Sequence, residues 1–505
     1  MKKTVLFVML LTMGSKVIGF LRDILLSYYY GVSGISDAYL IAILIPTVIF
    51  GLLAKAISTG YIPLFTRIEK NEGTAASSRF TNHVMNLLLV ISTFLVLLGL
   101  VFTEALVKVF AAGFDGETLE IAVWFTRITI AGIYFTSIIR LLSAFLNVRK
   151  LFIVPTLIGL PMNAVLILSI IVSHETGYIV LLAAGNLFAL FLQAVIIVYF
   201  AFKKGFRWQP VFKVRDPHLK QMTILALPIM LGTAVSQINK LVDRSLASYI
   251  TEGGVSALYY ANTLNAFILG VFVVSIATVM YPSISKMAAG NDHVRFKESV
   301  ISGLNGVGLF VIPATIGAFL FAEPIVVLLF GRGAFDAEAV SMTSGAFFFY
   351  AAGLIGYGFR EILSRAFYAM QDTKTPAVNA AIAVVINIIL NFILSYFMGI
   401  NGLALATSIA AFITTFLLYR QLRKHTGSLF TYEAVRSSVK ILTASLIMGA
   451  VAYLMNRYLF NNLGHTTGIL LTIIVAGVVY FGMILLFKVR EAYNLLSLIT
   501  KKRRT

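Results

Sequence analysis

A chain of 505 residues that is 59% hydrophobic and 12% charged carries about half the charge of a soluble globular protein, where about 25% is usual. Its mean hydropathy of +0.92 exceeds what a water-facing fold can hide, so the solvent is lipid and the protein is polytopic. The absence of cysteine excludes disulfides, thiolate metal sites and a cysteine nucleophile. The six histidines fall in or near predicted loops without ligand spacing.

The N-terminal MKKTVLFVMLLTMG imitates a signal peptide. No small-residue cleavage site follows, and the apolar run continues into Arg22-Asp23, so it reads as an uncleaved first span. Apolar segments of about 20 residues then recur at 37–65, 83–103, 118–147, 152–172, 178–201, 221–250, 255–284, 300–321, 339–370, 376–397, 402–419, 441–457 and 467–487. With the first at 4–30, the expectation is an all-α integral membrane protein of fourteen transmembrane helices.

Charge placement fixes an orientation. With the N-terminus inside, Lys2, Lys3, alternate loops and the tail hold 28 of the 40 Lys and Arg residues. The opposite loops hold three, Lys108, Arg332 and Arg457, and nine lie inside spans. This asymmetry is what the positive-inside rule demands. It places both termini in the cytoplasm and explains the net charge of +19 without nucleic acid.

The chain also repeats itself. At an offset of 221 residues, Ser15 falls on Ser236, Ser27 on Ser248, Arg22-Asp23 on Asp243-Arg244 in reversed order, and Pro155 on Pro376. Six spans separate equivalent elements, so the halves share orientation about a pseudo-two-fold along the membrane normal. The predicted organisation is an N-terminal lobe over 1–215, a C-terminal lobe over 216–425, and two extra helices over 426–487. A basic amphipathic tail over 488–505 would lie on anionic headgroups.

Charge inside a span is costly, at least about 2.5–3.5 kcal/mol per Arg, Lys or Asp at mid-bilayer, and normally faces a bundle interior or a watery cavity. Lys16, Arg22 and Asp23 stand on the first span, Lys55 on the second, and Asp37 near an outer mouth. Two helical turns place Lys16 and Asp23 on roughly one face. One reading is a salt-bridge network that fixes packing. The other is an electropositive cavity for a phosphate or pyrophosphate, which Arg and Lys suit. Arg140 and Arg365 read as snorkelling, Arg360-Glu361 as structural or functional, and Tyr28 to Tyr30 as an interfacial aromatic belt. Catalytic motifs and an ATP loop are missing, so an enzyme is not expected.

SKVIGFLRD, SDAYLIAILIP, VSQINKLVDRSLAS, SALYYANTLN and SRAFYAMQDTKTP, in that order, resemble the MurJ (MviN) lipid II flippases of the MOP exporter superfamily. The resemblance implies an alternating-access transporter in the bacterial cytoplasmic membrane. It would move an undecaprenyl-pyrophosphate-linked peptidoglycan precursor to the outer leaflet, acting as a monomer among membrane lipids. Ser15, Lys16, Arg22, Asp23, Asp37 and Lys55 would form the substrate site, and the groove of the last two spans would hold the lipid tail. The family's second-span Arg pair is here Phe50-Gly51, and Thr263 stands at another family Arg. The resemblance further implies a sodium site of Asp243, Asn387, Asn391 and Thr407, with no other cofactor. The alternatives are another undecaprenyl-linked oligosaccharide as cargo and a small-molecule antiporter.

Overall fold

The computed structural model describes residues 2–211, 216–290, 292–460 and 464–493. Among them the chain is helical, with no strand. Ten of the described helices are long and apolar enough to cross a membrane, or twelve spans if each of two bent pairs counts as one. Lipid offers no hydrogen bonds to a bare backbone, so helices that satisfy their own are the spanning element. The chain forms two compact units, Met1–Ser256 with Gly333–Phe335, and Ala257–Arg332 with Asp336–Thr505.

In the first unit the order is α1 (Lys2–Tyr30), α2 (Gly34–Glu72), α3 (Thr74–Val101), α4 (Thr103–Phe110), α5 (Gly116–Thr129), α6 (Gly132–Val148), α7 (Ile153–Leu157), α8 (Gly159–Thr176), α9 (Val180–Lys203) and α10 (Pro217–Ile250). The hub is α2, which packs on α3, α5, α6 and α10. Phe50, Tyr61, Phe65, Phe80 and Leu141 are buried in its core. Polar groups there pair across helices: the Tyr61 and Thr81 hydroxyls at 2.7 Å, and those of Ser92 and Ser137 at 2.8 Å. The Thr129 hydroxyl donates to the Ala42 carbonyl at 2.6 Å. Each such bond contributes on average about 0.6 kcal/mol inside a membrane.

Gly31 ends α1 in the left-handed region, at φ +59°. A Cβ there would lie 2.3 Å from the Ala334 carbonyl oxygen, so the position takes glycine on both grounds. Tyr30 corrects the aromatic-belt reading. It is buried, and its hydroxyl donates to Ser173 Oγ of α8 at 2.7 Å.

The second unit continues through α11 (Gly254–Ile268), whose first turn belongs to the first unit, and α12 (Val274–Ala289), joined by a π-helical turn at Leu269–Val273. Then follow α13 (His293–Leu329), α14 (Ala337–Ala352), α15 (Leu354–Ala369), α16 (Lys374–Met398), α17 (Ile400–Thr426), α18 (Tyr432–Met455) and α19 (His465–Leu486). Leu309, Ile441, Ala444, Met448 and Tyr480 form a core where α13, α18 and α19 meet. The basic tail beyond 493 lies outside the described residues.

Two predicted spans prove to be broken. α5 and α6 meet at 43°, and α14 and α15 at 41°. At the second break the Ser408 hydroxyl donates to the Phe349 carbonyl at 2.6 Å, and the Gly353 amide turns instead to Tyr350 at 3.0 Å. A side chain inserted into the hydrogen-bond ladder is a recognised cause of a kink. Periodicity does not reveal it. Glu361 pairs within its own helix, with Arg365 at 3.0 Å, while Arg360 lies 4.7 Å from the Tyr357 ring centroid.

The linker between α9 and α10 is held by α3. Asn82 Nδ2 donates to the Arg207 carbonyl at 3.0 Å, and Asn86 Nδ2 to those of Gln209 and Val211 at 2.9 and 2.8 Å. His83 meets Asp216 at 2.9 Å. Asp216 caps α10 by accepting from the His218 and Leu219 amides at 2.7 and 3.3 Å. Burial opposes its charge, but these amides and His83 together hold its carboxyl below the ordinary value. The Asp216 contribution is therefore complete above about pH 4 and is lost as pH falls through the lowered folded value. Asp216→Ala is expected to lower stability by about 1 kcal/mol at neutral pH, with the difference from wild type shrinking on acidification. Denaturant unfolding at both pH values checks this.

Candidate functional site

The site is built where α1 meets α8. Gly159 lets the helices approach, since a Cβ there would lie 2.4 Å from Ser15 Oγ. One helical turn on, buried Asn163 donates from Nδ2 to the Ser15 carbonyl at 3.3 Å and to the Gly159 carbonyl at 2.9 Å. Its Oδ1 accepts from Arg22 at 3.4 Å. Arg22 also donates to Asp23 Oδ1 from Nε at 3.0 Å and from Nη2 at 2.6 Å. Asp23 is 5% exposed. The guanidinium is thus fixed between a carboxylate beside it and an amide on α8, which removes most of the rotamer freedom of a long side chain.

Arg22 lines a cavity of about 860 Å³ within the first unit. Its wall includes Thr47, Phe50 and Gly51 of α2, Thr136 and Arg140 of α6, and Asn186 and Gln193 of α9. Thr233 and Gln237 of α10 complete it. Among the described residues, its lining holds two guanidinium groups and no carboxylate. A concave wall with one sign of charge concentrates the opposite ion. Such a wall is chemically suited to an anion with hydrogen-bonding oxygens.

The sequence-predicted residues divide here. Arg22 lines the cavity, Asp23 orients it, and Ser15 serves through its backbone carbonyl. Lys16 is exposed on α1 and is not among the lining residues. Lys55 lies on α2, but its side chain is outside the described residues. Arg140, read from sequence as snorkelling, is part of the wall, as are Asn186 and Gln193, which no motif singled out. Gly51 faces Gln237, whose Nε2 would sit 2.8 Å from a Cβ at that position. The glutamine of α10 occupies the room that a side chain on Gly51 would need.

Asp37 does different work. It is 1% exposed and accepts from the Ser256 and Val255 amides at 2.7 and 3.4 Å. These are the second and third amides of α11, so Asp37 caps that helix from α2 and sets its carboxylate on the positive end of the helix dipole. Glu252, just before α11, accepts in turn from the Gly34 amide that begins α2, at 3.2 Å. The two helix starts cap one another.

Asn387, Asn391 and Thr407 come together in the second unit. Asn391 Nδ2 donates to Asn387 Oδ1 at 3.2 Å, and Asn387 Nδ2 to Thr407 Oγ1 at 3.4 Å. Asp243 belongs to the first unit, where Asn239 donates to it at 3.3 Å. The three side chains bring two amide oxygens and a hydroxyl oxygen together and carry no carboxylate of their own. Among the described residues there is also no group of three or more His, Cys, Asp or Glu side chains suited to a metal.

The fold is that of a multi-span helical membrane protein with a cavity walled by two guanidinium groups. Residues 26–476 match the family model described as Lipid II flippase MurJ, and the chain belongs to that family. It is 30% identical to the probable lipid II flippase MurJ of Thermotoga maritima over 467 residues, 92% of each chain. To the corresponding Vibrio cholerae protein it is 29% identical over 465 residues, 89% of this chain and 87% of that one. A solved lipid II flippase MurJ in an inward closed conformation superposes with a TM-score of 0.84 at 29% identity, covering 97% of this chain and 100% of the other. An inward-facing multidrug MATE transporter of the MOP superfamily shares the fold at TM-score 0.71 and 16% identity, covering 82% of this chain and 95% of that one.

With no native cysteine, the cavity charge can be read by thiol labelling. In a Thr136→Cys protein, Arg140→Ala or Arg22→Ala is expected to lower the ratio of anionic to cationic methanethiosulfonate labelling by at least about threefold, a modest part of the 10–10³ that focused charge can supply. An unchanged ratio would show that these guanidiniums do not set the cavity potential.

Proposed function

We propose that this protein moves lipid II from the cytoplasmic to the outer leaflet of the bacterial cytoplasmic membrane by alternating access. The observation that carries this reading is the wall with Arg22 and Arg140 and no described carboxylate. A pyrophosphate offers the dense acceptor oxygens that such a pair binds through charge-assisted hydrogen bonds. Asp23 and Asn163 hold Arg22 ready, and Arg140 meets the anion from α6. The neutral groups Thr47, Asn186 and Gln237 suit a sugar headgroup. Lys16 and Lys55 join the site in other conformations of the cycle, and the groove of α18 and α19 takes the tail.

The finer architecture belongs to the same proposal. Helices α1 and α10, which carry internal charge, bring the twelve apolar spans to fourteen. The breaks between α5 and α6 and between α14 and α15 fall at equivalent places in the two repeats, which supports lobes over 1–215 and 216–425. Both termini are cytoplasmic, and the monomer is the working unit. The mutual capping of α2 and α11 by Glu252 and Asp37 acts as the outer gate.

An inside-negative membrane potential favours outward movement of an anion by about 2.3 kcal/mol per charge per 100 mV. With the potential supplying the driving force, the cycle has no requirement for sodium. Replacing sodium by potassium at constant potential is therefore expected to leave transport unchanged, and a loss of more than half would establish sodium coupling.

A second reading has one observation behind it. Phe50 and Gly51 line the cavity without charge where the family has an Arg pair, which would suit a different undecaprenyl-linked glycan. Complementation of a flippase-depleted strain separates the two. Wild type is expected to restore growth and outer-leaflet lipid II, and Arg22→Ala to abolish both while still reaching the membrane. Growth with Arg22→Ala would remove that residue from the mechanism, and failure of wild type would favour the other cargo.

A further inference from the structure

Away from the transport cavity, the second unit holds two adjoining pockets beside the start of α18. One is an apolar slot of about 610 Å³ bounded by α13, α15, α17 and α18. Ile312, Phe359 and Leu363 form its walls, and Leu429 from the α17–α18 linker borders one end. The other, of about 870 Å³, is polar and is lined by α13, the first turns of α18 and the segment after α19. Ile301, Asn305 and Ala434 line both. Together they make one site with an apolar half and a polar half.

The polar half is built on a buried framework. Glu491, 9% exposed, accepts from Asn305 Nδ2 at 2.8 Å and from Ser437 Oγ at 2.6 Å. Asn305 Oδ1 accepts from Ser438 at 3.2 Å. Lys440 donates to the Phe487 carbonyl just past α19 at 2.6 Å, a favourable place for a cation at a helix C-terminus. Five basic residues, Lys297, Arg436, Lys440, Lys488 and Arg490, line this half against Glu298, Glu433 and Glu491. Arg490 pairs with Glu433 at 3.4 Å. Among the described residues, Lys297, Arg436 and Lys488 take part in no ion pair. The balance is an excess of positive charge next to an apolar slot.

We propose that this is a binding site for one anionic membrane phospholipid, with an acyl chain in the slot and the phosphate on Lys297, Arg436 and Lys488. The slot opens sideways, since Phe412, Phe416, Phe430 and Leu442 on its rim are exposed. Its volume equals about 20 groups the size of a liquid water, at roughly 30 Å³ each. That is room for a single acyl chain and too little for a long polyprenyl tail. Among the described residues, none of α19 lines the slot, which separates it from a groove between α18 and α19. A bound lipid would tie α13, the α17–α18 linker and the end of α19 together, bracing the last two helices.

Native mass spectrometry of the full-length protein tests this, with palmitoyl-oleoyl phosphatidylglycerol and phosphatidylcholine offered at equal concentration. Wild type and Arg22→Ala are expected to retain one phosphatidylglycerol in preference to phosphatidylcholine. Lys297→Ala/Arg436→Ala is expected to lose that retention by about tenfold, the value of a charge-assisted hydrogen bond. Leu442→Trp, which narrows the slot at an exposed rim position, is expected to lose it as well, with an unchanged elution volume showing that both variants fold. Equal retention of the two lipids by wild type, retention unchanged in both variants, or displacement of the lipid by millimolar inorganic phosphate would each overturn the proposal. The last of these would identify a free-anion site.

Discussion

The structure of the first unit depends on keeping a guanidinium charged where lipid cannot solvate it. An unpaired Arg inside a bilayer is costly by any estimate, and here Arg22 is held between Asp23 at 2.6 Å and Asn163 at 3.4 Å. That arrangement needs α1 close to α8, which Gly159 permits through its lack of a side chain against Ser15. The same Asn163 amide ties down two backbone carbonyls. A packing contact, a polar network and a charge in a cavity are thus one construction. Loosening any part of it would leave the guanidinium free to pair elsewhere.

A similar economy governs the helix ends. Helix starts expose amides that cannot be left unsatisfied, and at several of them in this chain a carboxylate accepts from those amides. Asp37 and Glu252 exchange that service between α2 and α11, and Asp216 serves α10 while meeting His83. Such caps are strong when formed and are broken by modest displacement, because each relies on a few directional bonds.

Much of this was legible in the residues. Composition and hydropathy identify a multi-span helical protein, because apolar surface on this scale has no other stable environment. Arg22 and Asp23 stand out because charge within an apolar run demands a reason. Other parts were hidden. Arg140 sits near a helix end, where snorkelling is the ordinary explanation, and only the fold shows it lining the same cavity as Arg22. Asn186, Gln193 and Gln237 belong to no motif, since neutral amides are common on helices and gain meaning from what they face. Tyr30 was misread because three consecutive tyrosines resemble an interfacial belt, while helical geometry sends the third inward to Ser173.

By itself the sequence determined the solvent, the helical class and the family signature. These follow from local composition and from residues near one another in the chain. The tertiary structure decided which charges share a cavity, which helices break, and which carboxylate caps which helix. Those outcomes depend on contacts between residues far apart in the chain, such as Arg22 with Asn163, Ser408 with Phe349 and Asp37 with Ser256. No periodicity records such contacts, because they exist only once the helices are packed.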